Sequence, residues 1–229
     1  MSNKLSYASG ASDRPLLGNT IGEVFDNISN KFPDREALVS VHQNIRFTYA
    51  ELAIKVNELA KAFISAGLKK GDRVGIWSSN NAEWLLTQYA AAKAGVILVT
   101  INPAYRSHEL EYVLGQSGCK ALVFQNQFKT SNYESMICEI MPEIKDALEG
   151  ELQSSKFRNL ATVISMTSSE IKGIYNWKDF IILGNAIDEK KLQDRTDNQD
   201  IDDAINIQYT SGTTGFPKGA TLSHHNILN

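Results

Sequence analysis

The most constraining feature of this 229-residue chain is a run of five apolar or β-branched residues, Val96-Ile-Leu-Val-Thr100, set between Gly95 and Pro103. A strand with one solvated face alternates apolar and polar side chains; this one does not, so both of its faces must be covered. Its neighbours repeat the theme. Val74–Trp77 reads as another short buried strand, and Asn80-Asn-Ala-Glu83 reads as the cap of a helix that runs to Ala94 and stops at Gly95. Pro103 breaks the central strand, Ser107 caps a helix through about Gln116, and Ala121–Phe124 follows as a third strand. This βαβαβ order predicts an α/β fold: a parallel sheet with right-handed crossovers and helices packed in layers over it.

The flanking segments are legible by their caps. Up to about residue 20 the chain is polar, and it is expected to be a flexible N-terminal segment. Thr20-Ile-Gly-Glu23 is a capping box, opening a helix to about Phe32 before Pro33. Ala37–Val41 and Ile45–Thr48 flank His42-Gln-Asn44 in a hairpin pattern. A second capping box, Thr48-Tyr-Ala-Glu51, starts a longer helix with Leu52, Val56, Leu59, Ala60 and Phe63 along one face, stopped by Gly67. A helix is expected near Tyr133–Glu143 and a strand at Thr162–Met166. Asp188–Asp203 carries seven acidic and three basic side chains without an apolar period, and reads as an exposed loop or linker. Ala204–Thr210 returns to alternation, with Ile205, Ile207 and Tyr209 on one face.

Several function classes drop out on charge and pattern. With 23 Lys and Arg against 26 Asp and Glu, the net charge of −3 offers no basic surface for nucleic acid. The apolar stretch Ala90–Ile101 is interrupted by Lys93 and Gly95 and falls well short of the ~20 residues that span a bilayer. The first ten residues lack the apolar segment of a secretory signal and the arginines of a transit peptide. Cys119 and Cys138 form no CxxC and read as two reduced thiols. The sequon Asn27-Ile-Ser29 is treated as chance in that setting.

Chemistry concentrates in Tyr209-Thr-Ser-Gly-Thr-Thr-Gly-Phe-Pro-Lys-Gly219. From Thr210 to Gly219 there are three glycines, four hydroxyl residues and one lysine, which is the composition of an anion cradle. Glycines let backbone N–H groups turn inward, hydroxyls rotate to suit phosphate oxygens, and a lysine adds a point charge. A flexible Gly/Ser turn is the bland alternative, but such turns seldom combine this hydroxyl density with an entering strand and a Pro-Lys-Gly exit. The order Lys218-Gly219 excludes a Walker A loop, and no G-x-G-x-x-G occurs. The candidate binding residues are therefore Thr210, Ser211, Gly212, Thr213, Thr214, Gly215, Phe216, Pro217 and Lys218.

This loop resembles the phosphate-binding signature of the adenylate-forming superfamily, which comprises acyl- and aryl-CoA synthetases, luciferases and peptide-synthetase adenylation domains. Arg46-Phe-Thr-Tyr-Ala-Glu-Leu52, Gly71-Asp-Arg-Val-Gly75, Ile101-Asn-Pro-Ala-Tyr105 and Glu109-Leu-Glu-Tyr112 resemble the same family, so the likeness extends from about residue 15 to Asn229. Ile97–Phe124 and Ile205–Asn229 are most similar to its mitochondrial medium-chain acyl-CoA ligase branch. The resemblance implies that residues 21–229 form the N-terminal portion of the large adenylating domain, truncated after the phosphate loop, with the rest of that domain and a small C-terminal lid beyond. It implies ATP with Mg²⁺ and coenzyme A as co-substrates and a fatty acid as the carboxylate, with the loop holding the β and γ phosphates. An aryl-CoA ligase, or a truncated non-catalytic product that binds a nucleotide or a partner, are the alternatives. The family's remaining motifs lie downstream of its phosphate loop, so the principal catalytic residues are expected beyond Asn229 and this chain alone is expected to be inactive. A mitochondrial location follows from the resemblance, with a cytoplasmic one as the alternative because no presequence is visible. Acyl chain length and oligomeric state are not legible.

The remaining reactive residue types read as structural. Adjacent His224 and His225 project differently from a helix and cannot share one metal; they are expected at the surface of a helix start capped by Ser223. His42 and His108 stand apart, and Trp77, Trp84 and Trp177 read as core or rim packing. No metal site is expected.

Overall fold

The computed structural model describes residues 15–210 and 217–229. Helix α1 (Ile21–Lys31) begins where its capping box demands. The Thr20 hydroxyl accepts from the Glu23 N–H, and the Glu23 carboxylate accepts from the Thr20 N–H at 2.7 Å. The antiparallel pair β1 (Glu36–Ser40) and β2 (Ile45–Thr48) turns through Asn44 at φ 53°, a left-handed conformation that asparagine tolerates. The second capping box, Thr48 with Glu51, opens α2 (Tyr49–Ser65).

From there the chain alternates. It runs through β3 (Arg73–Trp77), α3 (Ala82–Ala94), β4 (Ile97–Ile101), α4 (Ser107–Ser117) and β5 (Ala121–Phe124). A two-residue ladder of β6 (Gln127–Phe128) and β7 (Ser131–Asn132) leads into α5 (Tyr133–Ile140). Then come β8 (Thr162–Ser165), β9 (Ile174–Asn176), α6 (Trp177–Ile182), α7 (Glu189–Asp197), β10 (Ala204–Thr210), β11 (Lys218–Ser223) and α8 (His224–Leu228). One seven-stranded sheet has the order β11-β10-β4-β3-β5-β8-β9. Its neighbours are parallel except β11, which runs antiparallel to β10 along the edge. The α/β architecture with a parallel sheet is thus as its apolar strands require.

Two core layers enclose the sheet, and the strands feed them alternately. Val74, Ile76, Leu98, Ala121 and Val123 point into the layer built by α2, α3 and α6. Trp77, Val99, Ile101, Leu122 and Phe124 point into the layer under α4 and α5.

Local departures have physical causes. Asp188–Asp203 is not a loop: it contains α7, capped by the Asp188 carboxylate accepting from the Lys191 N–H at 2.7 Å. Leu192 and Thr196 are buried, and the Arg195 guanidinium donates to Ala94 O at 3.1 Å and Leu68 O at 3.3 Å. A cation at the carbonyl end of α3 is favoured there, so a narrow stripe docks while the acidic face stays in water. Asn81, not Asn80, caps α3, and Arg106 rather than Ser107 precedes α4 as its cap. Pro142 splits the expected 133–143 helix into α5 and a 3₁₀ turn, Pro142–Lys145. Ile207 and Tyr209 pack on the α4 side as expected, but Ile205 packs with Ile21 and Ala92, because a register shift between Ala204 and Asn206 turns it away.

Candidate functional site

In parallel α/β sheets, ligands bind beyond the carboxyl ends of strands where adjacent crossovers leave on opposite faces. That condition is met on both sides of β3. It is followed by α3 in one core layer, whereas α4 after β4 and α5 after β5 lie in the other. Strand β10 lies beside β4 and parallel to it, so its last residue, Thr210, reaches the same edge. There the chain reverses into β11, with Thr210 opposite Lys218 and the Thr210 hydroxyl donating to Lys218 O at 3.4 Å.

Of the nine residues singled out in the sequence, Thr210, Pro217 and Lys218 are therefore brought together at the open end of a hairpin. Ser211, Gly212, Thr213, Thr214, Gly215 and Phe216 lie outside the described residues. Lys218 is exposed and Pro217 is half-buried. Gly219, next in line, is required for close approach: a Cβ there would lie 2.9 Å from Ile207 Cγ2 and 3.3 Å from the Tyr209 ring.

The strand entering the hairpin is held by side chains close to its loop end. The Thr100 hydroxyl donates to Gln208 Oε1 at 2.7 Å, and the Tyr209 hydroxyl donates to Gln116 Oε1 at 2.9 Å. Burial, then the neighbouring Cys119, Tyr112 and Tyr105, push the Tyr209 phenol up to about 12, so it stays a neutral donor. Along the rest of the edge, Trp77 stacks on Tyr133 with ring centroids 3.5 Å apart and planes 3° apart. The Trp77 indole donates to Asn102 O at 3.2 Å and the Tyr133 hydroxyl donates to Pro103 O. Together they fix the turn that leaves β4. After β3, Gln125 Oε1 accepts from the Ser79 N–H at 3.0 Å and from the Ser78 and Ser79 hydroxyls. The result is a hydrogen-bonded polar rim along the carboxyl ends of β3, β4 and β5.

Two grooves among the described residues border the first helix instead: an apolar one of about 390 Å³, lined by Phe25, Trp84, Tyr89 and Leu228 among others, and a polar one of about 520 Å³ around Asp26, Asn57 and Lys93. Trp77 is core and Trp177 packs partly buried on the α2 layer. No group of three or more His, Cys, Asp or Glu among the described residues is arranged to hold a metal. Cys119 is buried, and its thiol is pushed up to about 11, chiefly by desolvation. Sequence reasoning was wrong about His224. It is fully buried rather than at the surface, and its Nδ1 accepts the Ile21 N–H at 3.0 Å across 203 positions of sequence. No local pattern signals such a contact.

Comparisons with known proteins bear on the family and the fold. The model of the family described as AMP-binding enzyme matches residues 25–229. The mitochondrial medium-chain acyl-CoA ligase of Mus musculus is 47% identical over 228 residues, which are 98% of this chain and 37% of that protein. The chain thus spans little more than a third of that relative. Among solved structures, an anthranilate CoA ligase in complex with anthranoyl-AMP superposes with a TM-score of 0.75 at 21% identity, over 95% of this chain and 37% of that one. A long-chain-fatty-acid-CoA ligase of Archaeoglobus fulgidus does so with a TM-score of 0.71 at 21% identity, over 96% and 40%. At those identities the likeness shows the fold.

Proposed function

The chain belongs to the AMP-binding enzyme family, and from that premise we propose that Thr210–Lys218 is the phosphate cradle of an ATP-dependent fatty acyl-CoA synthetase. In this reading residues 21–229 are the N-terminal portion of its large adenylating domain. The observation that carries it is the pairing of Thr210 with Lys218 at the carboxyl edge, beside the β3/β4 switch. A polyphosphate approached there by a carboxylate brings like charges together, and pyrophosphate leaves as a concentrated anion. Neutralising donors must therefore be in place before reaction. The Thr210 hydroxyl and the exposed Lys218 ammonium suit that task, and the sequence between them supplies further hydroxyls and glycine N–H groups. Mg²⁺ accompanying ATP would neutralise charge on the β and γ phosphates.

The overall reaction in this reading is attack of a fatty-acid carboxylate on the α-phosphorus of ATP, expelling pyrophosphate and giving an acyl-adenylate. The thiolate of coenzyme A then takes the acyl group and releases AMP. Medium-chain fatty acids are the proposed substrates, from the 47% identity to a medium-chain ligase. The same relative is mitochondrial by name; we extend that location to this protein, with the cytoplasm as the alternative, and imaging the tagged whole protein against a mitochondrial marker decides between them. No helix among the described residues is long and apolar enough to cross a membrane.

The test is ATP–pyrophosphate exchange by the whole protein with octanoate, laurate or benzoate as the acid. Exchange dependent on the fatty acids is the expected result. Preference for benzoate would favour an aryl-CoA ligase, and no acid-dependent exchange would refute the adenylating reading.

A further inference from the structure

The loop-bearing hairpin returns through a strand that is held along one side only. Strand β11 is an edge strand, paired only to β10, and Lys218, Gly219, Ala220 and Thr221 are all exposed. Between Pro217 and Asn229 the single buried residue is His224. It directly follows β11, and its Nδ1 accepts the N–H of Ile21, the first residue of α1. Two further contacts close the same junction: the His225 N–H donates to Ile201 O at 2.9 Å, and the Asn229 side chain exchanges hydrogen bonds with the Leu17 backbone.

We infer that His224 is a positioning residue for the phosphate loop: it pins the return strand of the hairpin to the first turn of α1. The inference rests on the proposed role of Thr210–Lys218. Lys218 lies at one end of β11 and His224 just past the other, roughly 20 Å apart at ~3.3 Å per residue. Between them β11 is braced on one side only, by its ladder with β10, so the contacts just past Ser223 set where the far end of the strand begins.

The chemistry of the pin is specific. An Nδ1 that accepts an N–H carries no proton, so the neutral ring holds its proton on Nε2, which is buried without a partner among the described residues. Protonation would set a second donor against the Ile21 N–H at the positive end of α1 and break the bond. The charged groups facing the ring are Asp203 before β10, Glu23 on α1 and Lys70 before β3. Asp203 is paired with Lys70 at 2.6 Å. Burial, the largest influence, holds the imidazole below its ordinary value, against the pull of the two carboxylates. The sign follows: the neutral ring's contribution is fully present above the unfolded value of about 6.5 and is lost as pH falls through the lower folded value.

The experiment compares His224→Leu, which removes the acceptor, with His224→Asn, whose Oδ1 can accept in the place of Nδ1. Amide hydrogen exchange at Ile21 and along Gly219–Ser223 is read together with the KM for ATP in pyrophosphate exchange. His224→Leu is expected to raise exchange at both segments roughly tenfold and to raise KM more than it lowers kcat, with His224→Asn recovering most of both. Unchanged exchange along Gly219–Ser223, or an Asn variant no better than the Leu variant, would overturn the inference. If His224→Leu does not fold, the wild-type protein decides. Exchange at Ile21, corrected for intrinsic pH dependence, should rise below about pH 6.5, and a flat profile would refute the pin. Hydrogen exchange reads the pin without any reaction, so a protein inactive with every acid would reject the adenylating role and leave this result standing.

Discussion

Replacing Trp77 by phenylalanine tests whether the turn after β4 is fixed by the stacked pair beneath it. Trp77 is fully buried, so the smaller ring leaves a void on the order of 40 Å³, or about 1 kcal/mol at ~24 cal/mol per Å³. The indole bond to Asn102 O at 3.2 Å is lost as well, for about 1 kcal/mol. Asn102 is exposed and its carbonyl can take a water instead, which keeps that figure from rising. The expected cost is about 2 kcal/mol, with the stack on Tyr133 retained. Tyr133→Phe removes only the hydroxyl bond to Pro103 O and should cost about 1 kcal/mol. Both bonds hold the same two-residue turn, so the double variant should depart from additivity by at least ~0.5 kcal/mol. Urea titration followed by far-ultraviolet circular dichroism, with slopes compared across the four proteins, gives all the quantities. A Trp77→Phe cost under ~0.5 kcal/mol, or strict additivity, would refute the reasoning.

Two further outcomes follow from local contacts. Asp188→Ala removes the cap of α7 and should lower stability by about 1 kcal/mol in the same titration; a change within error would mean the helix is held by its docking stripe alone. Cys119, buried and with its thiol pushed up to about 11, should resist iodoacetamide in the folded protein while reacting readily in urea, as peptide mass mapping would reveal.

Much of the fold was legible because its signals are local. Thr20 with Glu23 and Thr48 with Glu51 satisfy helix ends by chemistry confined to four residues, and Val74–Trp77, Val96–Thr100 and Ala121–Phe124 admit no solvated face. What escaped depends on partners distant in sequence. The charge tally over Asp188–Asp203 hid α7, since only Leu192, Arg195 and Thr196 dock, and they dock on the end of α3. Strand β11 has no apolar rhythm because it is an exposed edge, and β10 is what orders it. His224 looked like a surface residue because a helix start usually is one, yet α8 folds back on α1. At the candidate site, composition singled out Thr210–Lys218, whereas what brings Thr210 and Lys218 to the carboxyl edge is the sheet order, with β10 beside β4.

The central claim is that Lys218 and the hydroxyls before it stabilise polyphosphate, and Lys218→Ala tests it most directly. The side chain is exposed and the backbone pairing with Thr210 needs no side chain, so the urea midpoint should not move. Fatty-acid-dependent ATP–pyrophosphate exchange in the whole protein should fall by ~10²–10³, the usual loss when one such electrostatic donor is removed. Exchange at the wild-type rate with saturating octanoate and ATP would contradict the account.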